Sequence, residues 1–559
     1  MFFSTQWKSS VAGLAAATLL AACGGGDIVI APVTNEGDVT NPPPDTTPAA
    51  TNDCASYMTD AGQLIQGSTS GADCIYSSAF VDAGNNLAFD VTFSDLADNG
   101  SHIFEGSLFV GETFDTDADL AAAGITEGGD GPTLTIEAGA TLAFQTSADF
   151  IIINRGSQIF AVGTVDAPIT LTSVSDIENT VGPEDVQQWG GMVINGFGVT
   201  NRCSYTGSVA GGDLATTDCH VDAEGAAGLD ESQYGGDNND DSSGRLEFVV
   251  VKHSGATVGN GDELNGISFG GVGRNTIVEN LEVYSTFDDG IEMFGGAVNF
   301  TNFAAVYVRD DAIDVDDGYS GTITNALVIQ SETDGNHCIE ADGIGSFSSL
   351  SASEIEDQIA QGINSRPVIN NLTCIISPNG SDTATHDPGA GWRLREAVAP
   401  TINNALVIGS FAATDATSVN DNYCLRIDNR SQDEALAGNL SINSSIFACE
   451  EPTRGQTFPD GTTTEQSFAE ATGNVFATFT GATNATAVAD TQLQLLESDG
   501  NVPIFSIDYA TSVVDGAAPT GDTPAAGFSG ALSLGTFNWA AGWTFGIFPD
   551  NRSQPLWFE

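Results

Sequence analysis

Two stretches with a common pattern, offset by 22 residues, decide the fold: Phe287-Asp288-Asp289-Gly290-Ile291-Glu292-Met293-Phe294-Gly295-Gly296 and Arg309-Asp310-Asp311-Ala312-Ile313-Asp314-Val315-Asp316-Asp317-Gly318. A looser third copy, Asn336-His337-Cys338-Ile339-Glu340-Ala341-Asp342-Gly343, follows at an offset of 26. A second motif recurs nearby. Thr322-Ile323-Thr324-Asn325-Ala326-Leu327-Val328-Ile329 returns as Val368-Ile369-Asn370-Asn371-Leu372-Thr373-Cys374-Ile375 and as Thr401-Ile402-Asn403-Asn404-Ala405-Leu406-Val407-Ile408. A weaker copy is Ser441-Ile442-Asn443-Ser444-Ser445-Ile446-Phe447. Each unit is short, alternating and β-branched, bounded by Gly, Asn and Asp, as strands are. No long helical period interrupts them. Such a unit cannot bury its apolar face alone, but stacked copies bury a continuous core. The pattern therefore predicts an all-β solenoid, a parallel β-helix whose coils rise about 4.8 Å each. From roughly Thr133 to Phe447 this leaves room for about 11 to 13 coils. Asn at the turns suits the left-handed backbone and can ladder with its copy in the next coil.

Composition narrows the function. In 559 residues, 14 Lys+Arg face 75 Asp+Glu, a formal net charge of −61. Hydrophobic residues make up 41%, enough for a large core, so wholesale disorder is excluded. Nucleic acid is an unsuitable partner, because a phosphate backbone needs a basic patch. An acidic, Gly-rich, Lys-poor chain suits an extracellular protein in salt water, with bound cations.

The N-terminus reads as an address. Lys8 precedes the apolar or small run Val11 to Ala22, and Leu20-Ala21-Ala22-Cys23 follows. This resembles a bacterial lipoprotein signal peptide over residues 1–22, with Cys23 as the lipidation site; a simple secretory signal is the alternative. Gly24 in place of Asp implies, by that resemblance, the outer membrane. Several acyl chains on one Cys anchor stably, whereas one chain binds only marginally. Beyond the leader no apolar run reaches the roughly 18 residues of a membrane helix. With Lys8 removed, Lys252 is the only lysine. Residues 23–53, with Asn41-Pro42-Pro43-Pro44, read as an extended tether. The expected organisation continues with an N-terminal cap at 54–130, the β-helix at 131–454 and a C-terminal capping region at 455–559.

Eight cysteines remain after Cys23: Cys54, Cys74, Cys203, Cys219, Cys338, Cys374, Cys424 and Cys449. An even number in an exported protein implies disulfides. Short loops close most readily, so sequential pairing is expected: 54–74, 203–219, 338–374 and 424–449. No C-x-x-C pair supports the alternative of a metal site.

The repeats resemble right-handed parallel β-helices of the pectate-lyase-like superfamily. They resemble more closely a group of bacterial surface lipoproteins found alongside TonB-dependent receptors. The residues that carry this are Leu134-Thr135-Ile136-Glu137-Ala138-Gly139-Ala140, Arg155-Gly156-Ser157-Gln158-Ile159, Ala161-Val162-Gly163-Thr164, Pro168-Ile169-Thr170-Leu171-Thr172-Ser173 and Trp189-Gly190-Gly191. Gly290-Ile291-Glu292-Met293-Phe294-Gly295-Gly296 and Asn538-Trp539-Ala540-Ala541-Gly542-Trp543 continue it. The resemblance spans roughly residues 130 to 559. It implies a fold more than an activity.

The 22-residue register places Asp288 under Asp310, Asp289 under Asp311, and Glu292 under Asp314. Glu340 and Asp342 would extend the Asp314 and Asp316 columns. Stacked carboxylates repel, so they must be splayed in water, protonated, or bridged by a cation. Oxygen-only ligands suit Ca²⁺. A solvated turn ladder and catalytic carboxylates are the other readings. Asp115-Thr116-Asp117-Ala118-Asp119 and Asp237-Asn238-Asn239-Asp240-Asp241 resemble the start of an EF-hand-type loop. Their sixth residues are Leu120 and Ser242 instead of Gly, and their twelfth are Thr126 and Phe248 instead of Glu. This makes Asp115, Asp117, Asp119, Asp237, Asn239 and Asp241 further metal candidates. Arg393, Arg395 and Arg426 alternate along strands, so Arg395 and Arg426 could stack as a carboxylate or sulfate clamp, unless acids such as Glu396 and Asp428 neutralise them.

Catalysis has three candidates: Asp289 and Asp311 as a carboxyl pair, and Lys252 as a base. Lys252 lies at a strand end and is expected to be structural and solvent-reaching. His337, beside the acidic column, is expected at the surface. Nucleophile elbows, P-loops and HExxH are absent from the sequence. The expectation is a non-catalytic outer-membrane lipoprotein on the cell surface, presenting a rigid β-helix to a glycan, ligand or receptor partner such as a TonB-dependent receptor. A Ca²⁺-dependent polysaccharide lyase or glycoside hydrolase is the main alternative, and a structural spacer the third.

Overall fold

A computed structural model describes residues 52–82, 84–223, 232–257, 263–377, 388–409, 422–449, 451–476, 493–497, 503–508, 528–532 and 538–557. The leader, the lipidation position Cys23 and nearly all of the tether lie outside the described residues.

The coils stack as the repeats require. One sheet has ten parallel strands, each a turn of the solenoid: Leu108–Val110, Ile151–Ile153, Met192–Asn195, Ile267–Gly270, Ile291–Phe294, Ile313–Asp316, His337–Asp342, Ala390–Arg395, Tyr423–Ile427 and Glu451–Thr453. Glu292 pairs with Asp314, and Asp314 with Glu340, so the register read from sequence holds. Ten strands at about 4.8 Å span about 43 Å. Only eight of these strands begin and end between Thr133 and Phe447, fewer than the coil count expected there. The missing coils are insertions: the long excursion between Asn195 and Ile267, and a helix, Ala352–Gln361, held by a Ser351–Glu354 capping box and a left-handed Gly362.

The opposite wall carries the Asn motif. Ile277–Tyr284, Asn299–Val306, Thr322–Ile329, Val368–Ile375 and Thr401–Ile408 pair in parallel within a sheet of seventeen strands. Each bends at its fourth residue, where Asn280, Asn302, Asn325, Asn371 and Asn404 have φ between 57° and 61°. Their side-chain amides form a continuous ladder. Asn302 donates to Asn280 at 2.9 Å, Asn325 to Asn302 at 2.9 Å, Asn371 to Asn325 at 2.9 Å and Asn404 to Asn371 at 2.7 Å. The corner thus pairs its amides with one another, as expected of stacked Asn.

The core lies between the walls. At its N-terminal end Tyr76, Phe104, Phe144 and Trp189 form a column, with stacked ring pairs at 5.0, 5.2 and 4.8 Å. All four sequential disulfides are present. Cys338–Cys374 and Cys424–Cys449 are buried and tie one wall to the other.

Two boundaries differ from expectation. Val91–Phe93, His102–Phe104 and Leu108–Val110 already pair in parallel with later strands, so the stack begins within the segment expected to be a cap. At the other end, helix Glu465–Ala471 and Val475–Phe476 close the last coil. Residues 528–532 and 538–557 do something else. They form a strap along the outer side of the long-strand wall. Gly530 donates to Asn404 O, Ala531 to Thr373, the Trp557 indole to Gln330 O and Phe545 N–H to Glu282, and Trp543 meets Phe248 edge-on. These contacts run down successive coils, and they bury Ala531, Leu532, Ala540, Ile547 and Leu556 against Val306, Ile329, Ile375 and Ile408. The end of a solenoid is a small target. The stripe of apolar side chains down its flank offers far more area to an apolar tail.

Candidate functional site: a carboxylate ladder

The ten-strand wall carries the charge. Just before each strand the chain turns through Gly266, Gly290 or Ala312. A Cβ on Gly290 would lie 2.5 Å from Ala312 O, so the coils meet backbone to backbone there. At this corner each acid caps the next coil. Asn265 Oδ1 accepts from Asp289 N, Asp289 Oδ1 accepts from Asp311 N at 3.0 Å, and Asp311 Oδ1 accepts from His337 N at 2.6 Å. Asp289 and Asp311, the candidate catalytic pair, are therefore corner-building residues, 6% and 3% exposed. This role follows from Asp and Asn accepting backbone N–H bonds in turns.

His337 ends the column. Its Nδ1 lies 2.8 Å from Asp311 Oδ1, and its Nε2 lies 2.8 Å from the Tyr423 hydroxyl. It is buried, not a surface side chain, and burial pushes its pKa down to about 4. The sequence offered no signal for Tyr423, which comes from a coil 86 residues later.

One step along the strands, the side chains form a second column: Glu292, Asp314, Glu340, Arg393 and Arg426, each in register with the next. Arg426 thus stacks with Arg393, not with Arg395. The arginines are neutralised: Arg393 meets Glu340 at 3.0 Å, Arg395 meets Glu340 and Asp342 at 3.1 and 2.5 Å, and Arg426 meets Asp428 at 2.6 Å. Hydrogen bonding to Asp342 and the charges of Glu340 and Asp342 hold the Arg395 guanidinium above its ordinary pKa, outweighing its burial.

Along the rest of the wall the acids cluster. Three groups bring ligand atoms within 4.8 Å of one another: Asp288, Asp289 and Asp310; Asp289, Glu292 and Asp314; and Asp311, His337 and Glu340. Burial, and then neighbouring carboxylates, push Asp289, Asp311, Asp314 and Asp316 well above the ordinary carboxylate range. Glu396, beside Asp342, is pushed up to about 7 by burial and that neighbour. The donor set of the first two groups is all oxygen and fits a hard cation such as Ca²⁺. Asp314 Oδ1 is a buried acceptor without a hydrogen-bond partner, the condition a cation would relieve. Asp289 is common to both groups, so it would bridge them.

The other metal candidates do not converge in this way. Asp117 and Asp119 start the helix Asp117–Ala123, which Thr116 caps, and Asp119 accepts from the Thr116 hydroxyl. Asp117 accepts from His220 at 3.0 Å. Asp115, Asp117 and Asp119 are not among the acid groups within ion-sharing distance in the described residues. Asp237 accepts from Thr216 N, Asn239 from Val199 N, and Asp241 from Gly128 N and Phe197 N. These side chains hold the long excursion to itself, and Asp241 also ties it to Gly128. The half-matched loop spacing reflects the same taste for backbone N–H groups that places Asp and Asn in turns.

Lys252 belongs to the other wall. It is buried, its Nζ is 2.7 Å from Asp176 and 4.0 Å from the centre of the Phe545 ring, and neither contact belongs to the carboxylate ladder. Burial alone would raise Asp176, but hydrogen bonds from His253, Lys252 and Thr172 and the Lys252 charge hold it well below its ordinary range. A polar cavity of about 370 Å³ adjoins this pair, lined also by His253 and Arg552.

The model of the pectate-lyase-like β-helix domain matches residues 113–544. The chain belongs to that family. No curated protein and no solved structure matches it. Family membership agrees with the ten-strand ladder and leaves carbohydrate binding and carbohydrate cleavage both compatible with the fold.

Proposed function

We propose that this chain is a non-catalytic lipoprotein of the outer membrane, anchored through Cys23 on the cell surface, whose ten-strand wall binds a glycan or a receptor partner such as a TonB-dependent receptor. Ca²⁺ orders the acidic half of that wall, held by Asp288, Asp289, Asp310, Glu292 and Asp314. The observation that carries the reading is the division of labour between the two walls. The long-strand wall lies under its own C-terminal strap, while the ten-strand wall turns part-buried charges outward in register. A rigid row of charges at strand spacing suits a repetitive ligand laid along it.

Family membership favours a second reading, a Ca²⁺-dependent lyase or hydrolase. Two observations weigh against it. The only lysine outside the leader is paired with Asp176 on the other wall, and the arginines beside the ladder are paired with acids. Asp289 and Asp311, the candidate carboxyl pair, are also buried and accept backbone N–H groups of the next coil.

The test is mass-spectrometric product analysis. The purified protein is incubated with acidic and neutral polysaccharides in millimolar Ca²⁺, and retention on each polymer is measured alongside. Intact polymers with Ca²⁺-dependent retention are expected. New oligosaccharides that disappear in Asp311→Asn would replace the binding reading with an enzymatic one.

A further inference from the structure

Under the strap lies a carboxyl group that the ladder does not explain. Glu282 projects from Ile277–Tyr284 on the outer side of the long-strand wall and is fully buried. One oxygen, Oε2, accepts the Phe545 N–H at 2.7 Å. The other, Oε1, is buried without a hydrogen-bond partner. An ionised carboxylate in that position would need two good donors or a cation. Among the described residues, the cation whose charge acts on Glu282 is Lys252, one strand over, where Val250 pairs with Glu282 and Lys252 with Tyr284. Lys252 is already committed to Asp176 at 2.7 Å and sits over the Phe545 ring. Phe545 therefore joins both groups: its backbone holds Glu282 and its ring covers Lys252. A neutral carboxyl fits this seam, because it keeps a carbonyl oxygen for Phe545 and carries no charge to solvate.

We propose that the strap is a proton-dependent clasp, closed on the long-strand wall while Glu282 is neutral and released when that carboxyl ionises. The inference stands apart from the proposed binding role of the other wall. Release uncovers Val306, Ile329, Ile375, Ile408 and the Tyr284 ring, which the strap now covers. The sign follows from linkage. Burial raises Glu282 above its unfolded value, with the Phe545 N–H and Lys252 opposing. Its contribution to strap closure is complete below the ordinary glutamate range and is lost as pH rises through the raised value. Other titratable groups border the seam. They are Lys252 and His253 from the neighbouring strand, Asp176, Glu184 and Asp185 from the loop beneath, Tyr284 and Tyr307 in the wall, and Asp550 and Arg552 on the strap. The test must separate Glu282 from all of them.

Hydrogen exchange of residues 538–557 in the intact protein provides that test. Exchange is followed from about pH 5 to about pH 9 and corrected for intrinsic base catalysis. Fluorescence of the strap residues Trp539, Trp543 and Trp557 is recorded in parallel. One ionisation makes the strap's opening ratio rise by up to about tenfold per pH unit between the ordinary glutamate range and the raised value of closed Glu282, and level off above it, while the Asn-ladder strands stay protected. Glu282→Gln, an uncharged near-isostere that still accepts from Phe545 N–H, abolishes that slope. A slope that persists in Glu282→Gln assigns the effect to another group and overturns the proposal. So does a flat profile in the unaltered protein, which requires no variant to fold.

Discussion

Asp314 shows how a single carboxylate can work against the fold that holds it. It stacks between Glu292 and Glu340, lies close to Asp289, and keeps one oxygen without a partner. Asp314→Asn removes one of the repelling charges. In EDTA the variant is expected to be more stable than the parent by about 1–2 kcal/mol, and its gain on adding Ca²⁺ to be smaller. Thermal melts with and without chelator check both. The same cluster fixes a pH dependence. The raised carboxyls Asp289, Asp311, Asp314 and Asp316 contribute stability below the ordinary aspartate range and lose it as pH rises through their folded values. Cation-free protein should therefore lose stability as pH rises above the ordinary aspartate range, and saturating Ca²⁺ should flatten that loss. A melting temperature that ignores both EDTA and pH would remove the cation from the account. At this scale the columns were legible from the sequence, because a fixed 22-residue offset converts directly into register. The partners were not. Tyr423 on His337 and Asp176 on Lys252 are brought in by coils far away in sequence.

At the scale of the element, the bent strand is the repeating device. Its central Asn adopts a left-handed conformation and both gives and takes an amide hydrogen bond. Asn325→Ala loses both bonds and places a Cβ-bearing residue without a local polar partner at φ 61°. A cost of about 2–3 kcal/mol is expected. Asn325→Gly loses the same bonds but keeps the backbone at ease, so it should cost about 1 kcal/mol less. Denaturant titration of the two variants against the parent tests the order. If Ala and Gly cost the same, the left-handed backbone contributes nothing and the ladder acts only through its hydrogen bonds. This element was readable because Asn-Ala-Leu-Val-Ile and Asn-Leu-Thr-Cys-Ile place Asn at one fixed position before an apolar run. The half-matched acidic loops misled for a related reason. Asp237, Asn239 and Asp241 accept backbone N–H groups, the preference that places Asp and Asn in loops of any kind.

For the whole molecule, the walls must be kept at a fixed separation, and disulfides cross the core to do it. Cys338–Cys374 joins the ten-strand wall to the long-strand wall across 36 residues of sequence. Replacing both cysteines by alanine is expected to cost up to about 4 kcal/mol from loop entropy, less any relaxation of the unfolded chain. The loss should appear as earlier unfolding in denaturant. Cys54–Cys74 closes a shorter loop at the N-terminal end, so its removal should cost less. The coil count was overestimated because insertions consume residues without adding rise. The Asn195–Ile267 excursion and the Ala352–Gln361 helix each occupy chain between consecutive strands of the same wall.

The sequence by itself determined the architecture, the acid register, the Asn ladder and the pairing of all eight described cysteines. These follow from periodicity and from short loops, both local properties that repeat. Tertiary structure alone decided which wall is covered, which charges are neutralised and where the C-terminal residues go. Those outcomes depend on side chains that meet from distant coils and on the apolar area available to an unpaired tail. The flank of the solenoid offers that tail several coils of Val, Ile and Leu side chains, and Glu282 sits beneath it with a single donor.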